Sequence, residues 1–253
     1  MRRLFVLLSF LAVAGAMALA DDNEGQWLMQ YYKKPEPNSI AAKLPQWQKE
    51  GLLSKKESQP VMIGFFLRVM HDNPGKAVEW LQISESFPPV DRQAIRIAAW
   101  YSKVPAARDY LTEKNLKEFA RRDPPDVATL PLNSASSVDF NWAIYYASGD
   151  TTAIRRVIGA FRLGMDFGAI DRFSTSAQTD ADRQAAANDE IFRAAKWSVT
   201  SNCEQDVTVY EFCKRLLKSG ELSGIEQAAL RQCLGTAKPD DSDIKREEPK
   251  AEK

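Results

Sequence analysis

Prolines cut this chain into short lengths, and nearly every length carries apolar residues at helical spacing. In KESQPVMIGFFLRVMHDNP, Val61, Phe65 and Val69 fall at i, i+4 and i+8 with Met62 and Phe66 beside them, and Asn73-Pro74 forces a stop. Pro74 opens the next helix, where its missing N–H does no harm, and Val78 and Leu81 mark the expected buried stripe. Pro88-Pro89 separates that helix from one over 91–102, with Ile95, Ala98 and Ala99 facing inward. Pro105 opens another, with Tyr110, Leu111, Leu116 and Phe119 as its apolar positions. Upstream, EGQWLMQYYKKP sets Trp27, Gln30 and Tyr31 on one face, and the piece over 39–50 contains Pro45, which predicts a break or kink. No β-branched alternation is bounded by Asn-Gly or Asp-Gly turns. The expected fold is all-α: antiparallel helical hairpins in a solenoid-like or irregular multi-helix bundle.

The clearest supersecondary signal is SSVDFNWAIYYASGDTTAIRRVIGAF, residues 136–161. Ser136 with Asp139 three residues on reads as a capping-box start, and Phe140, Ile144 and Ala147 form a stripe that Trp142, Tyr145 and Tyr146 widen. Gly149 suits the left-handed conformation that ends a helix, and Asp150 or Thr151 caps the next. The aromatic-x-x-aromatic, Gly-Asp and Ala-Ile sequence is loosely similar to a tetratricopeptide-type repeat, without its period. More specifically, VDFNWAIYYASGD together with AAKWSVTSN resembles an uncharacterised family of exported bacterial α-helical proteins. That family pairs an Asp-x-x-Trp…Gly-Asp hairpin with a Trp-Ser-hydrophobic-x-Ser-Asn segment. The resemblance spans roughly residues 27–234 and implies an exported helical fold; it brings no activity with it.

Both ends differ from the middle. Arg2 and Arg3, the apolar run from Leu4 to Val13 and Ala18-Leu19-Ala20 before Asp21 make residues 1–20 a secretory signal peptide. The run is too short to span a bilayer and none like it recurs, so no transmembrane anchor is expected. The expected destination is the periplasm, or secretion to the exterior. At the other end KPDDSDIKREEPKAEK, residues 238–253, has only Ile244 as an apolar side chain larger than alanine, and reads as a disordered charged tail. Between them lies a helical domain over 21–237. The proline-rich loop 121–136 suggests a subdivision near 122–135, and a second loop over 164–180 is either functional or slack.

Charge narrows the partners. The chain holds 34 basic and 34 acidic residues, and loss of Arg2 and Arg3 leaves a slight acidic excess, so no nucleic-acid partner is expected. No cofactor is implied either: the chain has no phosphate-cradling glycine loop and no Gly-x-Ser-x-Gly elbow.

Three cysteines remain. Cys203 and Cys213 on one continuous helix would stand roughly 15 Å apart, beyond disulfide reach. Helices over 206–218 and 223–234, joined by Ser219-Gly220-Glu221-Leu222, set Cys213 near Cys233, which predicts a Cys213–Cys233 disulfide worth about 3 kcal/mol. Cys203 is then the free thiol, either a small buried hydrophobe or a nucleophile before a helix N-terminus. A nucleophile needs a base, and His71, the single histidine, sits where a cation at a helix C-terminus is already accounted for. The cysteine spacing does not suit zinc, and no metal ligands are assigned. Asp139, Asp166, Asp171, Glu190 and Glu211 are conceivable members of a carboxylate pair. Tyr145, Tyr146 and Trp197 are the candidate binding surface, against the alternative, favoured by their core-like spacing, that these rings pack between helices.

The expectation is a non-enzymatic exported scaffold that binds a protein or peptide partner in the cell envelope. Two alternatives stay open: a carboxylate-dependent hydrolase or lytic enzyme acting on an envelope polymer, and a peripheral component that self-associates through an aromatic face.

Overall fold

The computed structural model describes residues 22–114, 116, 119, 122–166 and 179–237. The expected signal peptide, the expected charged tail and most of the 164–180 segment lie outside the described residues. Every regular element among the described residues is helical.

The first six helices are α1 (Asp22–Gln30), α2 (Ile40–Lys49), α3 (Gln59–Asp72), α4 (Pro74–Ser84), α5 (Pro89–Tyr101) and α6 (Pro105–Glu113), with a 3₁₀ turn over Tyr31–Lys33. Helices α3 to α6 all begin with proline at the first or second position, where its fixed φ favours the turn and its missing N–H costs nothing. Pro45 does not break its helix: α2 continues through it. Ile40, Leu44 and Trp47 on that helix are fully buried, and their packing outweighs the lost hydrogen bond. In α4 the stripe is Ala77, Trp80, Leu81 and Ser84, so Val78 lies beside the buried line instead of on it.

After a 3₁₀ turn over Val127–Thr129 come α7 (Ala135–Ser148), α8 (Thr151–Gly159) and a 3₁₀ stretch over Ala160–Asp166. The α7–α8 turn forms as its chemistry requires. Gly149 has φ +72 and donates its N–H to the Tyr145 carbonyl at 2.7 Å, while Asp150 Oδ1 accepts from the Thr152 N–H at 2.9 Å. The capping box over Ser136 and Asp139 is absent, because α7 starts one residue before Ser136 and Asp139 falls in its second turn. Helices α9 (Asp180–Gln205), α10 (Val207–Lys218) and α11 (Gly224–Thr236) complete the chain.

These elements form two compact units. The first runs to Pro131 and takes in Ser136–Ala153; the second comprises Leu132–Ala135 and everything from Ile154. The chain therefore leaves the first unit inside the proline-rich loop, returns for α7, and departs finally after Ala153.

Within the first unit, each helix from α2 to α6 packs on the next but one (α2 on α4, α3 on α5, α4 on α6), and consecutive helices from α3 onward pack as well. This neighbour-and-next-neighbour order is how stacked hairpins bury a continuous core. Trp27, Tyr31, Trp47, Phe65 and Phe66 meet at ring separations of 5.1–6.4 Å. One carboxylate keys this cluster: Glu24 accepts from Trp47 Nε1 at 2.7 Å and from Lys43 Nζ at 2.7 Å, and the same ammonium lies 4.5 Å from the Trp27 ring. A second carboxylate, Glu85, joins three helices by accepting from Arg96 at 3.0 Å and from the Tyr110 hydroxyl at 3.4 Å.

Within the second unit, α9, α10 and α11 pack against one another, and the 3₁₀ stretch lies against α9 and α11. Thr179 with Asp182 and Ser223 with Glu226 form full capping boxes at the starts of α9 and α11.

Candidate functional site

The two tyrosines of the expected binding surface are interior residues. Helix α7 is buried on every face, with Val138, Trp142, Ala143, Ile144, Tyr145, Tyr146 and Ala147 all inside. Adjacent residues on a helix do point in different directions, but here both directions lead into packing. Tyr145 lies 4.9 Å from the Tyr32 ring, and Tyr146 stacks on Trp142 at 6.1 Å and 22°. Tyr145 and Tyr146 are thus removed from the candidate surface.

Trp197 stays on it. The buried positions of α9 recur as Ile191, Phe192, Ala195, Ser198, Val199, Asn202 and Cys203. Trp197 is two residues from Ala195 and from Val199, about 200° around the helix from each, so it faces away from that stripe. It is 38% exposed, the most exposed of the six tryptophans. Beside it, Lys196 Nζ reaches Gln232 Oε1 on α11 at 2.6 Å, which ties this part of α9 down. Ile225 at 41% and Val90 at 50% are the other large apolar side chains left in solvent among the described residues.

The expected Cys213–Cys233 disulfide is absent: Cys203, Cys213 and Cys233 are all free and fully buried. The expectation failed on direction. Cys233 turns toward α9, donating to the Lys196 carbonyl at 3.5 Å and lying within reach of the Thr200 hydroxyl. Cys213 instead meets Cys203, with the two thiols in hydrogen-bonding reach. They can meet because α9 and α10 are not one rod. Asp206, at φ −139 and ψ 107, breaks the path between them. The hydrogen bond with Cys213, and then burial, push the Cys203 thiol up, and burial does the same to Cys233. Both are therefore held as protonated thiols, the opposite of an activated nucleophile.

The remaining chemical candidates disperse. His71 ends α3 as an exposed side chain beside Asp72 at 3.0 Å. Glu211 pairs with Lys214 on the surface of α10 at 2.7 Å, and Glu190 lies half-buried on α9. The Asp166 side chain and Asp171 lie outside the described residues. Asp139 is only 4% exposed, and desolvation by the surrounding apolar groups raises its carboxyl to about 7.

Glu226 was missed as a key residue. Its carboxylate is fully enclosed and accepts from the Ser223 N–H at 2.8 Å, from Arg155 at 2.9 Å and from Arg162 at 3.1 Å. Burial alone would raise it; the Ser223 capping bonds and the two guanidiniums outweigh burial and hold it below the usual carboxylate range. The Ser-x-x-Glu spacing was readable beforehand. The arginines, 64 and 71 positions upstream, were not.

Among the described residues no group of three or more His, Cys, Asp or Glu side chains is arranged to hold a metal ion, and no helix is long and apolar enough to cross a membrane. What this arrangement offers chemically is an anchored apolar contact at Trp197 and a cluster of three buried thiols. Compared with protein families, with curated proteins and with solved structures, the chain matches none.

Proposed function

We propose that this chain is an exported, non-enzymatic helical scaffold that binds a protein or peptide partner in the cell envelope. The observation that carries the reading is Trp197, a large ring 38% exposed on a helix whose opposite face is fully packed. Tryptophan on a rigid element is a favoured interface anchor, because it supplies area at little cost in conformational entropy. The stacked hairpins of the first unit support the reading by analogy, since such architectures commonly present surfaces for partners.

The test is retention of envelope proteins by the immobilised full chain, with Trp197→Ala in parallel. Truncating an anchor of this kind costs about 2 kcal/mol or more, so a specific partner should bind the variant roughly thirty-fold more weakly. Equal retention by both proteins would refute the assignment of Trp197.

The carboxylate-dependent hydrolase has one observation in its favour. A carboxyl raised to about 7, as at Asp139, is protonated near neutrality and suits a general acid. That reading requires release of soluble fragments from an envelope polymer and its loss in Asp139→Asn.

A further inference from the structure

The three thiols of the second unit are chemically unequal. All are fully buried where α9, α10 and α11 pack together, yet Cys233 spends its proton on the Lys196 carbonyl at 3.5 Å while Cys203 and Cys213 face each other. The corner that brings them together is fixed on both sides. The Asp206 N–H donates to the Asn202 carbonyl at 2.9 Å, closing α9, and an Asp206 carboxylate oxygen accepts from the Thr208 N–H at 3.0 Å, starting α10. Val207 and Val209 are buried directly after the corner, so the return path of α10 is set by packing as well as by capping.

We infer that Cys203 and Cys213 are a dithiol positioned to close into a disulfide when the chain meets a disulfide-bearing oxidant, with Cys233 outside the bridge. One thiol of the pair loses its proton and attacks the oxidant's S–S bond, releasing one half as a thiolate and forming a mixed disulfide. The other thiol then gives up its proton, attacks the chain-side sulfur and displaces the second half. Two S–H bonds are lost and one S–S bond is formed. The oxidant takes up both electrons and both protons and leaves as two thiols. The bridge would staple α9 to α10 across the Asp206 corner and constrain the cores of both helices. Because neither thiol is exposed, attack requires local opening of this corner, so closure is slow on the native protein and persistent once made.

Peptide mapping tests the pairing directly. The full chain, incubated to completion with oxidised glutathione, is quenched in acid, alkylated and cut with trypsin. Cleavage after Lys196 and Lys214 leaves Cys203 and Cys213 on one peptide, WSVTSNCEQDVTVYEFCK, while cleavage after Arg231 puts Cys233 on the peptide that starts at Gln232. The expected result is WSVTSNCEQDVTVYEFCK lighter by two hydrogens and unalkylated, with the same bridge formed in a Cys233→Ser variant. A covalent link between that peptide and the Gln232 peptide would overturn the inference. So would recovery of both its cysteines alkylated or carrying glutathione, or loss of the bridge in Cys233→Ser.

Discussion

Asp139 and Glu226 are both enclosed acids with opposite consequences. Glu226 has two guanidiniums and a capping box around it, whereas only desolvation acts on Asp139. A carboxyl at about 7 in the fold, against an ordinary 3.8, binds its proton more tightly folded than unfolded. Between those values the native state therefore carries the extra proton, and stability falls as pH rises. At about 1.4 kcal/mol per pH unit, the cost reaches roughly 4 kcal/mol above pH 7 and vanishes below pH 4. Asp139→Asn should then unfold at higher urea than the parent at pH 8, and at nearly the same urea at pH 4. A difference that does not change between the two pH values would show that Asp139 is solvated. Legibility at this scale was mixed. The types and spacing of Ser223 and Glu226 carry a cap signal that went unread, while the Ser136–Asp139 spacing misleads, because a one-residue shift in the start of α7 turns a terminal carboxylate into an interior one.

At the scale of elements, the approach of α3 to α7 depends on one missing side chain. A Cβ at Gly64 would stand 2.5 Å from the Phe140 carbonyl oxygen and 3.0 Å from the Ala143 Cβ, and backbone cannot swing aside as a long side chain can. Gly64→Ala should cost about 1–3 kcal/mol despite alanine's better helix propensity, read as a lower urea midpoint with unchanged slope. Gly75→Ala is the control: it sits in the first turn of α4 with nothing within 4 Å and should be neutral or mildly stabilising. A raised midpoint for Gly64→Ala would mean the two helices are further apart than described. Helix identity was largely legible, since the prolines that bound the apolar stripes are the ones that start α3 to α6. Helix surroundings were not. Periodicity says which face of a helix is apolar, and it set Tyr145 and Tyr146 at the margin of the apolar stripe, but it does not say that α7 is buried on all faces. The cysteine pairing failed for a related reason: the antiparallel register of α10 and α11 does not say where a thiol on α9 will enter.

At the scale of the molecule, two units share one chain, which crosses between them after Pro131 and after Ala135, both within the proline-rich loop, and again after Ala153. The sequence called for large rings buried between helices, and that is how most of them are spent. Trp47, Trp80 and Trp142 are fully enclosed, Trp27 and Trp100 are partly covered, and Trp197 is left outward. The functional reading depends on that division, which intrinsic fluorescence measures without knowing the partner. Acrylamide quenching of the full chain and of Trp197→Phe, both folded by far-ultraviolet circular dichroism, separates the exposed ring from the enclosed ones. The account predicts that the variant loses the most quenchable, longest-wavelength part of the emission and that the remainder shifts to the blue. Identical spectra and quenching for the two proteins would place Trp197 inside the fold and contradict it.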